Sequence, residues 1–510
     1  MLSKIYSSCV IGINAYAIEV EVDVANGMPC FSVVGLPDTS IRESRDRIRA
    51  AIKNSGYTFP SNKITVNLSP ADVKKEGAGF DLPIAVGILA ALGVIPKEAL
   101  HKTVICGELS LDGRLKGFRG ALPVAISLKD RFRDFIFPAK SAGEASNVEG
   151  VSIYGAKALK EVVEHLKGIN PLGLAEKECA SREESQCSCE RDMKDVKGQE
   201  HVKRGLEVAA SGSHNMLLLG PPGSGKSMLA RRFPGILPDL DIEEALETTK
   251  IYSIAGELDG SGLLFERPVR MPHHTISYAA MAGGGSFPMP GEISLANNGV
   301  LFLDELPEFR RDVLETLRQP LESGEITVTR IQQSLRYPSR FILMAAMNPC
   351  PCGYFTDPHK RCNCTPNQIQ RYLSKISGPL LDRIDIHLEV PRLNYEQMSK
   401  RRSGESSEEI KTRVVGARCV QKERFAGKPA YLSYNAYMNS SDLEEFCVLS
   451  GEAEELLKTA ILELGISARA YDKILKISRT IADMERSKII ETHHISEAIG
   501  YRCLDRGLWA

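Results

Sequence analysis

The run Asn215-Met-Leu-Leu-Leu-Gly-Pro-Pro-Gly-Ser-Gly-Lys-Ser227, continued by Met228-Leu-Ala-Arg-Arg232, decides the fold of the middle of this chain. Met216 to Leu219 read as a short buried strand, and the residues after Ser227 read as a helix. Between them, Gly220, Pro221, Pro222, Gly223, Ser224, Gly225, Lys226 and Ser227 complete a P-loop pattern in its required strand-to-helix setting. The glycines let backbone N–H groups turn toward phosphate, and the helix adds the positive end of its dipole. Lys226 is expected to reach the β- and γ-phosphates of ATP, and the Ser227 hydroxyl to ligate Mg²⁺. A glycine-rich turn that binds nothing is the bland alternative, but it has no reason to satisfy all eight positions.

About eighty residues further on, Gly299-Val-Leu-Phe-Leu-Asp-Glu305 is an apolar strand ending in two acids. Asp304 is expected to hold Mg²⁺ through water, and Glu305 to orient or deprotonate the attacking water. An apolar strand ending in Asp-Glu is common by itself. At this distance after a P-loop it points to hydrolysis.

At 510 residues the chain is too long for one core, and three or four domains are expected. Its hydrophobic and charged fractions, 43% and 25%, are those of a globular protein, and a net charge of −1 gives no global pull toward nucleic acid or acidic membrane. The N-terminus lacks the unbroken apolar core of a signal peptide, and no apolar run is long enough to span a bilayer. Thirteen cysteines without an export signal fit reduced thiols, and a cytoplasmic location is expected.

Outward from the P-loop, residues 1–167 read as a mixed α/β domain. Strands are expected at 15–24, 30–34, 62–68, 102–107 and 134–137, and helices at about 38–55, 80–92, 119–129 and 156–167. A polar stretch, 168–193, reads as a linker and carries Cys179, Cys187 and Cys189, to which no role is given. Residues 194–393 continue in strands and helices. From 394 to 510 the composition turns helical, with helices expected near 408–424, 441–448, 452–464 and 469–484.

Four further stretches carry a resemblance: Val196-Lys-Gly-Gln199, Arg270-Met-Pro-His-His274, Pro290-Gly-Glu-Ile-Ser-Leu295 and Ala346-Met-Asn-Pro-Cys-Pro-Cys-Gly353. With the P-loop they make nearly the whole chain resemble the magnesium-chelatase-like AAA+ proteins of the YifB/ComM type. The resemblance implies an α/β P-loop AAA+ domain with an all-α C-terminal lid. It puts Val196 and Gln199 beside the nucleotide and makes Asn348 sensor 1, near the γ-phosphate and water. It makes Arg383 in Leu380-Leu-Asp-Arg-Ile-Asp385 an arginine finger reaching a neighbouring subunit, and Arg469 sensor 2. Guanidinium groups there would stabilise charge on the transferring phosphoryl group, the alternative for each being a surface ion pair. A finger acting in trans implies a ring, most simply a homo-hexamer.

Ahead of the Asn348 strand, Glu325-Ile-Thr-Val-Thr-Arg-Ile-Gln-Gln-Ser-Leu-Arg336 alternates like a hairpin, and a Gly/Pro/His-containing segment spans about 254–292. The resemblance implies that such insertions face a central pore. Arg330 and Arg336 could then track a DNA backbone without reading sequence, or simply decorate a solvated hairpin. Cys350-Pro-Cys352 and Cys362-Asn-Cys364 can bring four thiolates into a tetrahedron, which favours a structural Zn²⁺. Free thiols and redox pairing are the alternatives.

In the N-terminal domain, Ser69 to Ala85 and Gly107-Glu-Leu-Ser-Leu-Asp-Gly113 resemble a Lon-type protease domain of ribosomal-S5-like fold. That enzyme uses a Ser-Lys dyad, and matching the segments puts Gly79 at the serine and Leu122 at the lysine. Neither can perform acyl transfer, so a protease fold without proteolysis is expected. Two functions remain: a DNA translocase driving branch migration in recombination or natural transformation, and a chelatase-like remodeller of a protein client.

Overall fold

The computed structural model describes residues 1–71, 75, 77–176, 192–258, 262–285, 289–329, 334–355, 357, 360–393, 404–428, 433–464 and 467–502. The chain divides into two compact units, Met1–Glu184 with Leu246–Leu264, and Ser185–Ala245 with Phe265–Ala510. Among the described residues no helix is long and apolar enough to cross a membrane.

The first unit is built on a seven-stranded mixed sheet. Its spatial order is Cys30–Val34, Lys63–Ser69, Asn14–Ala25, Leu2–Ile11, Thr103–Ile105, Asp134–Pro138 and Ser152–Ala156. Leu2–Ile11 and Asn14–Ala25 form an antiparallel hairpin in register from Leu2↔Asp23 to Ile11↔Asn14. Ile5, Ile18, Val20 and Val22 point from it into the core. There they meet the helix Asp81–Ala91, which after Asp81 is apolar all round and buried all round, as such a helix must be. Gly87 lets it approach closely, since an added Cβ would sit 2.6 Å from Val22 and 2.7 Å from Ile5. The helices Thr39–Asn54, Ala121–Leu128 and Leu159–Leu166 lie where helical spacing predicts them. Leu122 is fully buried and Gly79 accepts a backbone hydrogen bond from Gly107 at 2.9 Å.

The second unit carries a five-stranded sheet, parallel throughout. Its order is Val269–Arg270, Val300–Leu303, Ile342–Met347, Met216–Leu219 and Ile386–Glu389. Three of these strands are buried along their whole length, as expected of a parallel sheet covered on both faces. The C-terminal helices Ser407–Arg424, Ser440–Phe446, Gly451–Leu464, Ala468–Met484 and Thr492–Gly500 share a hydrophobic core with this sheet. Their starts are set by side chains: Ser406 with Glu409 and Asn439 with Asp442 form capping boxes, and Ser467 caps the long helix. Most of the linker, 177–191 with Cys179, Cys187 and Cys189, lies outside the described residues.

Candidate active site

In a parallel sheet the chain leaves every strand at the same edge, and the loops there converge. Leu219 is level with Met347, and Leu303 with Ala345, on three adjacent strands. The residues that follow, Gly220, Asn348 and Asp304, are thereby brought together. Lys226 Nζ donates to Gly220 O at 2.6 Å, Pro221 O at 3.0 Å and Asn348 Oδ1 at 3.1 Å. These three oxygens saturate the ammonium's three donors, and phosphate oxygens would compete for the same donors. Ser227 Oγ donates to Asp304 Oδ2 at 2.6 Å, so a hydroxyl and a carboxylate stand side by side. Both are hard oxygen donors, the kind Mg²⁺ takes.

The loop's shape follows from its glycines. Gly223 and Gly225 adopt φ of 77° and 94°, in the left-handed region. At Gly220 an added Cβ would meet Val390 O at 2.2 Å. From behind, Gln199 Nε2 donates to Ser224 O at 2.9 Å and to Pro391 O at 3.0 Å. Val196 is fully buried in the core beneath. Gln199 braces the loop, and Val196 packs under it. Burial drives the Lys226 ammonium down to about 8, against the opposing pull of Asp304 and Glu305.

Glu305 follows Asp304 at the mouth of the site, more than half exposed, with φ of 54°. That left-handed conformation is costly for a residue with a Cβ, and it turns the carboxylate away from the strand direction. Its Oε2 lies 3.5 Å from His274 Nδ1, and the His274 ring stacks 4.1 Å from His273. Sequence reasoning passed over this pair, because two adjacent histidines without ligands at metal spacing read as structural. The available signal was their place in the specific stretch Arg270–His274. That stretch is tied to Pro290–Leu295 by a two-pronged pair, Arg270 to Glu292 at 2.6 and 2.7 Å.

Arg383 and Arg469 lie elsewhere. Asn215, just before the strand Met216–Leu219, donates from Nδ2 to Arg383 O at 3.3 Å. Gly220 follows that strand, so five residues at ~3.3 Å each put Arg383's backbone ~16 Å from the P-loop, at the amino edge of the sheet. Arg383 pairs with Glu322 at 2.5 Å, and Arg469 with Asp382 at 3.3 Å. Together with Lys473 they line one open cavity of about 300 Å³. Lys226, Ser227, Asp304, Glu305 and Asn348 share one edge, and the two arginines share the other.

The predicted hairpin forms, with Glu325–Thr329 antiparallel to Ser334–Pro338. Ile326, Val328 and Tyr337 face inward, whereas Arg336, opposite Thr327, is exposed. Arg330 lies outside the described residues. A second small hairpin, Gly283–Gly284 with Met289–Pro290, lies alongside: an added Cβ at Gly283 would be 3.3 Å from Val328. Cys350, Cys352, Cys362 and Cys364 come together, with their sulfurs within 4.8 Å of one another.

Residues 192–398 match the family model described as magnesium chelatase, subunit ChlI. Residues 20–141 match that of subunit ChlI of Mg-chelatase, and residues 404–502 that of the ChlI C-terminal region. Competence protein ComM of Haemophilus influenzae is 44% identical over 509 residues, 99% of this chain and 98% of its own length. The chain belongs to the YifB/ComM family of magnesium-chelatase-like AAA+ proteins. YifB of Escherichia coli is equally similar, 44% identical over 507 residues, 99% of this chain and 98% of YifB. The magnesium-chelatase 38 kDa subunit of Rhodobacter capsulatus is more distant, 28% identical over 174 residues, 30% of this chain and 49% of that protein.

Proposed function

We propose that this YifB/ComM protein is an ATP-hydrolysing ring motor that translocates on DNA and promotes branch migration during recombination. The observation that carries the reading is the carboxyl edge of the parallel sheet, where Lys226, Ser227, Asp304 and Asn348 meet within hydrogen-bond distance. Bound ATP with Mg²⁺ supplies the cleavable phosphoanhydride and a cation that spreads its charge. Lys226 binds the phosphate oxygens, and Ser227 with Asp304 holds the cation. Asn348 positions the attacking water, and Glu305 takes up its proton while His274 fixes the Glu305 carboxylate.

A single chain lacks one part of this machinery at that edge. The Arg383 backbone sits ~16 Å from its own P-loop along the strand, too far for its side chain to reach, and Arg469 is paired with Asp382 beside it. The reading therefore requires a second copy that offers its amino edge to the first copy's carboxyl edge. A head-to-tail contact of this kind closes into a ring, here a homo-hexamer. The exposed Arg336, with Arg330 six residues earlier in the sequence, then follows the phosphate backbone of DNA in the pore. The name of the Haemophilus influenzae relative, competence protein ComM, supports a part in competence, and a cytoplasmic location suits both the DNA and the reduced thiols. With Gly79 and Leu122 at the dyad positions, the N-terminal unit serves as a docking platform or collar without proteolysis.

The similarity to the magnesium-chelatase subunit favours a second reading, in which the same motor remodels a protein client. ATPase rates with single-stranded, duplex and four-way-junction DNA separate the two. The translocase reading predicts stimulation that is lost in Arg330→Ala/Arg336→Ala. A rate indifferent to every DNA would contradict it and favour the protein client.

A further inference from the structure

The loop from Cys350 to Cys364 begins two residues after Asn348, yet the nucleotide chemistry leaves its four thiols unused. Cys350 Sγ lies 3.3 Å from Cys352 Sγ and 3.7 Å from Cys362 Sγ, and Cys352 Sγ lies 3.5 Å from Cys362 Sγ. These separations are too long for a disulfide bond, whose sulfurs lie ~2.05 Å apart. They are close to the ~3.8 Å edge of a tetrahedron of sulfurs around zinc at ~2.3 Å. Cys350 is buried and the other three are half-buried. Backbone N–H groups already aim at the cluster: Gly353 donates to Cys350 Sγ at 3.2 Å and Cys364 to Cys362 Sγ at 3.4 Å. Donors of this kind offset negative charge on thiolates and orient them toward a metal.

The loop is also joined to the nucleotide site on both sides. Gly353, with φ of 84°, presses on the P-loop, and an added Cβ would meet Pro222 Cδ at 2.5 Å. Directly after Cys364, Thr365 and Gln368 form the capping box of the helix Pro366–Leu373. Tyr372 of that helix comes close to the backbone of Asn348. The path from Asn348 through the cysteines and the helix thus returns to Asn348.

We propose that Cys350, Cys352, Cys362 and Cys364 hold one Zn²⁺ as four thiolates, and that this closed site clamps Asn348 and Gly353 against the phosphate loop. Four protein ligands leave no open coordination position, so the ion shapes the site without taking part in hydrolysis. Each thiol that binds gives up its proton to solvent, and no electron is transferred. The clamping half of the proposal rests on the nucleotide reading of the P-loop, whereas the metal half does not.

The test uses the full chain, purified without chelator or immobilised metal. Metal analysis should find about one zinc per chain. Exchange for Co²⁺ should give the thiolate-to-cobalt charge-transfer and tetrahedral ligand-field bands. Cys362→Ser/Cys364→Ser should lose the metal and weaken binding of a fluorescent ADP by about tenfold or more. Lys226→Ala should keep its zinc, so that a failure of the nucleotide reading shows up separately. Absence of zinc with no cobalt spectrum in the wild-type chain would overturn the proposal, as would a mass lower by two hydrogens with the thiols blocked. Zinc at one per chain with unchanged ADP affinity in Cys362→Ser/Cys364→Ser would overturn the clamp. Should that variant not fold, the wild-type chain stripped of zinc and then refilled must lose and regain ADP affinity for the clamp to stand.

Discussion

The two edges of the parallel sheet are built from the same kind of strand and carry opposite equipment. At the carboxyl edge, Lys226, Ser227, Asp304 and Asn348 already bond to one another in a single chain. At the amino edge, Arg383 and Arg469 are parked on Glu322 and Asp382 beside an open cavity. Parallel topology explains the difference, because it sends strand-following loops to one edge and strand-preceding loops to the other. On the proposed reading the first edge binds the phosphoanhydride, and the second supplies its arginines to a neighbour's transition state.

The sharpest way to break this contrast is Arg383→Ala. It should lower ATP hydrolysis by ~10³-fold or more while ATP affinity, measured separately, changes little. A large loss of affinity would instead place Arg383 in its own chain's binding loop. Glu305→Gln should reduce the rate by about 10² to 10⁴ and retain bound ATP; a normal rate would remove Glu305 from the mechanism. His274→Ala should have a smaller effect, about tenfold to a hundredfold, on kcat with KM unchanged, because it misplaces Glu305 and leaves binding intact. A rise in KM alone would assign His274 to binding.

The weakest expected effect is on pH. Burial lowers the Lys226 ammonium to about 8 in the free protein, so it is half charged near pH 8 and fully charged only about two pH units below that. A bound triphosphate favours the charged form, so above that value binding must take up a proton. ATP affinity should therefore be flat from about pH 6 to 7 and fall by up to about tenfold between about pH 8 and 9. An affinity that rises over that interval would show that Lys226 is not the group in contact with the phosphates.

The carboxyl edge was readable before any coordinates because each of its parts is local. A P-loop needs one strand, one turn and one helix, and Gly299–Glu305 needs one buried strand with acids at its end. The C-terminal helices were equally legible near 408–424, 441–448, 452–464 and 469–484, where capping residues and aliphatic spacing coincide. Thr492–Gly500 was missed: it is short, its first turn holds a histidine pair, and its first buried positions depend on partners distant in sequence. The strand Leu2–Ile11 was missed as well. Its inward positions include Ser3 and Ser7, which weakens the apolar alternation, and only pairing with Asn14–Ala25 makes it a strand. His274 escaped for a related reason. Its significance is its 3.5 Å approach to Glu305, a contact between residues thirty-one positions apart that no local pattern announces. The division of labour between the two edges likewise comes from topology and not from any motif.

The most direct test is to mix two inactive chains, Lys226→Ala and Arg383→Ala, and measure ATP hydrolysis. The first has an intact amino edge and the second an intact carboxyl edge. Random assembly in a ring makes about a quarter of the sites complete at equal proportions, so the mixture should recover a comparable share of the wild-type rate. A mixture no more active than its two components would contradict a catalytic site shared between neighbouring copies.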